Sequence, residues 1–566
     1  MGSESVTVLQ DFSLGLNTLT VANRLDQKEF PTATNVWNDN GAIAKRLGQS
    51  RTSTSLTIFG NSWYGQSVHS SVLSAVERLV ILVDAGKSRN FIIDSNNAIT
   101  ILLSDTAGTG TAATTSGSAV VTGSGTNWAT VAKAGALFSA NAGTVSADTI
   151  QILTVDSDTQ LTLTANFPTT YSGISYKIVP SWAPTNRVSY ADINLNTYIC
   201  GQGSVPILWN GSFAAYVPAF PQASYSINFR NYIFAAGTVA NPSRVAWSAL
   251  KDAASWPASN FIDVTPDDGF QIVGLVTDGQ SIVIFKTNGA YKLSGDVFDP
   301  ANPTYTLTQI YTPSDFAINS PRTFQLFGPS GYLMAGNKGF YSYDGGGAIS
   351  KIFDYDRIRA DFADMGTFDW AVAPSVSAEP SAIIVDGNYW LQVPNRVSSI
   401  STTHKEFTYI LDKTGSVWKW TTLAGGMISD FAYRAGTLYG VNSYTSGTAG
   451  AIMQLNTGST DGLASAINGS FTTKILEFGN QQRFGLVFVY LKKQSAGDLT
   501  FEYSIDEGSF VSNTIDMTTG TGTRIKSAPI VIGRIGRSVQ FRLSNNTVAQ
   551  TFEVYGIELH HQELRR

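Results

Sequence analysis

Cysteine is almost missing from this 566-residue chain, with Cys200 its single example, so neither a disulfide framework nor a thiolate metal cluster can be built. Histidine is nearly as scarce: only His69, His404, His560 and His561 occur. None stands at ligand spacing from another His or Cys, and the adjacent pair would face opposite ways on a strand, which leaves no His-based metal site. Charged residues make up 14%, against about 25% in ordinary soluble domains. The net charge is −5 and no Lys/Arg run occurs, which argues against tight grip on a nucleic-acid backbone, because that needs cations to neutralise phosphates. No apolar run of about 18 residues is present, so no transmembrane helix is expected. The opening MGSESVTVLQDF has no charged n-region or apolar h-region, and the chain is expected to be made in a cytoplasm. Helical periodicity is nearly absent too; the one stretch that carries it is 353–365, FDYDRIRADFADM.

What is abundant is strand and turn material. Hydrophobic residues reach 43%, with 52 Gly, 31 Phe and 23 Tyr; aromatic and β-branched side chains suit a pleated surface, and Gly supplies turn geometry. Short apolar runs recur around Val80 (LVILV), Tyr198 (TYIC), Tyr232 (NYIFAA), Ile282 (SIVIF), Tyr332 (GYLMAG), Tyr389 (NYWLQV) and Leu438 (TLYGV). Each is followed by a turn and a second run, as in RNFIID, VPILWNG, SRVAWSA and GAYKLSG. Such spacing predicts an all-β fold with a β-propeller of six or seven blades, since each blade buries its faces against two neighbours. The repeat is interrupted at 105–180, where a Gly/Thr/Ser-rich stretch and the alternations TIQILTVDSDTQLTLTA and ISYKIVP predict a small inserted β-barrel. Alternating segments from 469 to 566 predict a C-terminal β-sandwich ending in a solvated charged tail. The expected divisions are thus an N-terminal arm with the first propeller strands (1–104), the barrel (105–180), the propeller (181–468) and the sandwich (469–566).

Residues equipped for catalysis are hard to find. The densest carboxylates are Asp267-Asp268 and the group Asp354, Asp356, Asp361 and Asp364. The first pair precedes Gly269 and reads as turn chemistry; the second lies on the expected helix, with Arg357 and Arg359 as partners. Paired carboxylates in a cleft would mark a glycosidase, but ion-paired surface is the plainer reading of both. Asp156 and Asp158 sit in a hairpin turn without the remaining ligands of a calcium loop. No nucleophile elbow, P-loop or dinucleotide turn opens a helix. No catalytic residue, metal ligand or cofactor is therefore assigned, and the chain is expected not to be an enzyme. Among the Trp residues, Trp209, Trp247, Trp390, Trp418 and Trp420 fall within repeat strands and are expected in the core. Trp63, Trp128 and Trp256 lie nearer turns, where they could stack on a sugar or a neighbouring subunit.

Two segments add a resemblance. In 11–50, Gly15-Leu16-Asn17, Asn35-Val36 and Arg46-Leu47-Gly48 match the beginning of many phage tail proteins, with Leu14 where a second glycine is common. The stretch 243–295 resembles the mid-propeller region of nozzle (tail-hub) proteins of short-tailed bacteriophages, through its "WS" strand, W-P loop, acidic turn, IVIF strand and G-x-Y-x-L-x-G hairpin. The resemblance implies a structural virion protein in a ring, usually a hexamer. That ring would hang below the portal and adaptor and bear tail fibres or spikes, and packaged double-stranded DNA would pass through it non-specifically, without membrane insertion. A hydroxyl-rich, acidic lumen suits passage of duplex, which a basic one would stall. The long segment 296–324, carrying Tyr305, Gln309, Tyr311, Asp315 and Asn319, is the candidate gate; covering a blade edge is its plainer role. The rival expectation is a carbohydrate-binding or carbohydrate-active propeller in a receptor-binding tail component.

Overall fold

The computed structural model describes residues 4–39, 41–51, 64–73, 76–84, 89–95, 98–101, 109–140, 149–180, 188–201, 203–211, 214–296, 304–311, 320–328, 331–336, 339–346, 349–354, 380–393, 407–412, 416–421, 428–442, 452–461 and 465–564. It is all-β and contains a β-propeller. Six four-stranded antiparallel sheets follow one another, and a seventh sheet completes the ring. The seven apolar runs read from the sequence are the second strands of these seven sheets, for example Asn196–Gly201, Tyr232–Ala236 and Ile282–Lys286. The runs that follow them are the third strands. Both are sandwiched between neighbouring blades, which explains their continuous apolarity: Val283, Ile284 and Phe285 are wholly buried.

The first strands are less apolar because they line the axis. In the first blade Tyr64–Leu73 presents Ser67, His69 and Ser71 at alternate positions; in the second Val188–Ile193 presents Tyr190 and Asp192; in the seventh Ile428–Arg434 carries Asp430. Several first hairpins turn through two residues with positive φ: Asn194-Leu195 (51° and 60°), Arg230-Asn231 (52° and 63°) and Ala435-Gly436 (47° and 75°). That geometry matches the right-handed twist of the flanking strands.

The N-terminal arm closes the ring. Gln49–Arg51 pairs with Ile452–Leu455 as the fourth strand of the seventh blade, after Ile428–Arg434 and Thr437–Asn442. The rest of the arm belongs elsewhere. Glu4–Gln10, Thr32–Thr34, Val36–Asp39 and Ala42–Lys45 join the strands after 468 in one 11-stranded sheet dominated by the long strands Leu476–Lys492, Ile530–Asn545 and Glu553–Glu563. The C-terminal sandwich is therefore made from both ends of the chain. The expected solvated tail is part of its central strand: His561 is buried, its Nδ1 donating to Gln482 Oε1 (2.9 Å) and its Nε2 accepting from the Thr7 hydroxyl (3.0 Å).

Residues 111–179 form a separate seven-stranded sheet whose edge strands, Tyr171–Ile174 and Tyr176–Val179, are consecutive in the chain, so the sheet curls almost to closure. Trp128 fills it, wholly buried with its ring edge-on to Phe138 and Tyr176. The reading of Trp128 as a surface stacking residue is thereby corrected: a turn placed it near the surface in sequence, but the barrel closes over it. The helix expected at 353–365 is not found where it can be checked, because Phe353 and Asp354 end the strand Ile349–Asp354; the remainder lies outside the described residues.

Candidate functional site

Of the arm residues that carry the phage-tail resemblance, Gly15, Asn35, Arg46 and Gly48 clasp the arm to the rest of the chain. Arg46 and Asp461 form a buried two-pronged ion pair, with side chains 4% and 0% exposed, and Arg46 Nη1 lies 2.9 Å from Asp461 Oδ1. Arg46 Nε donates to Asn35 Oδ1 at 3.0 Å, while Asn35 Nδ2 donates to the carbonyl of Asn468 at 2.9 Å. Asn17 Nδ2 donates to Glu29 Oε1 at 3.1 Å, and its own Oδ1 accepts from the backbone of Leu19 and Thr20. Two glycines permit backbone-to-backbone contact. A Cβ on Gly48 would stand 1.9 Å from the Thr460 carbonyl oxygen, and one on Gly15, where φ is 72°, 2.7 Å from that of Val417. An aromatic cluster completes the joint: Phe30 lies 5.9 Å from Trp418 of the sixth blade and 5.5 Å from Phe471 of the C-terminal sheet. The arm thus binds propeller and C-terminal sheet into one apolar core.

The propeller axis is the second place to look for chemistry, because inner strands converge there. Its centre is filled by Asp430. One carboxylate oxygen accepts from Ser67 Oγ (3.1 Å), the Val68 amide (3.1 Å) and Arg322 Nη1 (3.0 Å); the other accepts from Ser381 Oγ (2.6 Å) and the Phe431 amide (3.0 Å). Arg322 also donates to the Val188 carbonyl at 2.8 Å. Blades one, two, six and seven are tied at one point, and an acceptor so occupied has little capacity left for substrate. Beside it, His69 of the first blade meets Asp192 of the second at 2.7 Å, under a stacked Tyr190 ring. Burial works to raise the Asp192 carboxyl, but the His69 and Thr197 bonds outweigh it and hold it below the usual carboxylate range.

The third place is a cleft of about 480 Å³ at the edge of the third blade, lined among others by Asn241, Arg244, Asp263, Asp267 and Phe270. Its carboxylates are largely committed. Arg244 grips Asp263 through two 2.8 Å bonds and stacks over Phe261 at 3.6 Å. Asp268 receives the Lys286 ammonium at 2.8 and 2.7 Å; that lysine is wholly buried and also donates to the carbonyls of Val264 and Thr265. Asp267, with φ at 68°, is exposed on the turn. The turn and ion-pair reading of Asp267-Asp268 agrees with this arrangement.

The candidate gate residues fall in two groups. Tyr305, Gln309 and Tyr311 are on the strand Thr304–Tyr311, the outermost of the fourth blade, paired with Gly289–Asp296; they do not belong to a free loop, and Tyr305 and Tyr311 pack partly against inter-blade cores. Asp315 and Asn319 lie outside the described residues, as do Trp63, Asp356, Asp361 and Asp364. Trp209, Trp247, Trp390 and Trp418 are buried in their blades, and Trp256 is half-buried against Phe220. Asp156 accepts from the Thr154 and Thr162 hydroxyls, as a plain turn would have it. Among the described residues no group of three or more His, Cys, Asp or Glu is placed to hold a metal ion. Cys200 is buried, and burial pushes its thiol up to about 12.

No family model and no curated protein matches the chain. Solved structures match in shape at low identity. The extracellular domain assigned to a one-component system of B. thetaiotaomicron is similar at 9% identity and a TM-score of 0.38, covering 94% of this chain; the chain spans 63% of that domain's length. The β-propeller domain of Nup133 from Vanderwaltozyma polyspora gives 12% and 0.23, over 47% of this chain and 91% of that one. An exo-β-1,3-galactanase from Phanerochaete chrysosporium gives 10% and 0.22, over 59% and 94%. With scores this low, no activity or ligand passes from them to this chain.

Proposed function

We propose that this chain is a structural component of a short-tailed phage tail, a nozzle subunit that works in a ring and acts by its shape. The observation that carries this reading is the arm. Asn35, Arg46 and Gly48, all in the segment that resembles phage tail proteins, form the clasp that joins the arm to Asn468, Asp461 and Thr460. A clasp of this kind suits a part that must bear load. The occupied acceptors of the buried Asp430 and Asp461, and of the half-buried Asp192, support the same reading, since these carboxylates bond to structural donors from neighbouring elements. In the proposed ring the acidic, lightly charged surface leaves duplex DNA free to slide toward ejection. Antibody raised against the chain and imaged on negatively stained virions is expected to decorate the tail below the head-to-tail junction; label at fibre tips or on the capsid would refute the assignment.

A second reading, saccharide binding, is favoured by one feature. The third-blade cleft combines an exposed Phe270 (43% exposed) and exposed Asp267 with the polar side chains of Asn241 and Gln271, a mix that can stack on and hydrogen-bond a sugar ring. A glycan array probed with the full chain decides this: a signal lost in Phe270→Ala supports it, and an empty array removes it.

A further inference from the structure

The third-blade cleft is built more rigidly than a surface turn requires. Its two walls are the loop 237–243 and the crossover 264–271, which leads from the outer strand Phe261–Asp263 to the first strand of the fourth blade, Ile272–Thr277. Hydrogen bonds bolt these walls together at the base. The Val264 amide donates to the Ser243 carbonyl and the Ile272 amide to the Pro242 carbonyl, both at 2.9 Å. Ser243 Oγ donates to the Phe270 carbonyl at 3.0 Å. Behind the crossover, the buried Lys286 ammonium gathers the Val264 carbonyl (2.9 Å), the Thr265 carbonyl and hydroxyl (3.1 and 3.0 Å) and both Asp268 oxygens (2.8 and 2.7 Å). That grip holds an unfavourable backbone: Thr265, Asp267 and Gly269 have φ of 40°, 68° and 77°. Left-handed conformations at non-glycine residues persist only where the surroundings enforce them, and they cluster at ligand sites.

What the walls present is bonding capacity that the chain itself leaves unused. Among the described residues the Asp267 carboxylate and the side-chain amides of Asn241 and Gln271 have no hydrogen-bond partner, and all three residues are exposed. Phe270 stands beside them, 43% exposed. Charge then selects the ligand. Arg244 and Asp263 cancel in their two-bonded pair, and Lys286 cancels Asp268 behind the wall. Of the charges lining the cleft, Asp267 alone is uncompensated, so a cation is attracted and an acidic ligand repelled. The cleft's volume of about 480 Å³ lies inside the roughly 300–1,000 Å³ of small-ligand sites.

We infer that this cleft binds an amine-bearing saccharide: Asp267 is the counter-ion of its ammonium, Phe270 stacks on the apolar face of the sugar ring, and Asn241 and Gln271 bond its hydroxyls. This rests on the saccharide reading of the cleft and names the sugar class; it is independent of the nozzle reading. A simple polyamine fits less well, since it makes no use of the two amides.

The test is calorimetric titration of the purified full-length chain with unacetylated glucosamine oligosaccharides, their N-acetylated counterparts and spermidine, at a pH that keeps the amines charged. Wild type is expected to bind the glucosamine oligomer more tightly than the acetylated one by about tenfold, an advantage that shrinks as salt is added. Asp267→Asn, which keeps the shape and tolerates the left-handed backbone, should erase that preference and leave the weaker binding common to both sugars. Phe270→Ala should weaken both sugars alike. Both side chains are exposed, so circular-dichroism melts should match wild type. Equal binding of the two oligomers by wild type, or a preference that survives Asp267→Asn, overturns the inference while the saccharide reading stands. Spermidine held as tightly as the glucosamine oligomer overturns it in favour of a plain cation site. Binding to neither sugar overturns it too, and the saccharide reading falls with it only if the glycan array is also empty.

Discussion

Asp461→Ala is the most informative single substitution in the clasp. The wild-type carboxylate is wholly buried and holds the guanidinium of Arg46, itself 4% exposed, across 415 residues of chain. Removing the acid takes away the only carboxylate shown paired with this buried cation, which keeps acceptors such as Asn35 Oδ1 and the Leu47 carbonyl. Breaking a buried pair from one side costs about 3–5 kcal/mol, a large share of the roughly 5–15 kcal/mol that stabilises a folded domain. Urea unfolding followed by tryptophan fluorescence reads it well, because Trp390 and Trp418 both lie in the sixth blade, which packs into the same core as the arm. With a slope of about 1–3 kcal/mol per molar, the first unfolding midpoint should fall by about 1 M or more. Arg46→Met/Asp461→Leu is the control: it removes both charges, so it should be less destabilised than Asp461→Ala even though Asn35 loses a donor. A single substitution that costs under about 1 kcal/mol, or a double substitution no better than the single, would refute the argument that this pair locks the arm.

Three further outcomes are expected. Gly48→Ala should destabilise by more than about 2 kcal/mol, since its Cβ would overlap the Thr460 carbonyl at 1.9 Å and backbone cannot step aside cheaply; a thermal melt within a degree of wild type would contradict this. Trp128→Ala should cost the barrel about 3–5 kcal/mol, read as early protease cleavage within 111–179 while the propeller stays intact. The third concerns pH. Glu558 and then Glu4 raise the His560 imidazole above its usual 6.5, and the Tyr490, His560 and Lys526 bonds hold Glu558 down at about 2. The His560 contribution is full below pH 6.5 and is lost as pH rises through its raised value. That of Glu558 is full above 4.5 and is lost as pH falls toward 2. Urea midpoints should therefore benefit most between pH 4.5 and 6.5, and His560→Ala should flatten the alkaline limb.

The propeller was legible where burial is two-sided. Second and third strands such as 282–286 and 289–296 are sandwiched between blades and stand out as apolar runs. First strands escaped notice for two physical reasons: they spend side chains such as Ser67, His69, Asp192 and Asp430 on the axial network, and hairpin turns at Asn194-Leu195 and Arg230-Asn231 use positive φ without glycine. The C-terminal strands were legible by alternation, but that N-terminal strands share their sheet was not, because partners such as Val6 and His560 are separated by nearly the whole chain and alternation reveals a strand without naming its neighbour. His561 was misplaced in solvent for the same reason. Of the clasp, the motif residues were visible, and so was Trp418 as a core residue, but Asp461 and Asn468, which receive Arg46 and Asn35, lie in a short stretch, 459–468, that carries no motif.

The nozzle reading depends on this chain assembling into a ring. Averaged electron cryomicroscopy images of the tail, viewed end-on, test that most directly. The account predicts a closed ring of propellers around an open channel; isolated propellers on a fibre, or a ring built from another protein with this chain absent, would contradict it.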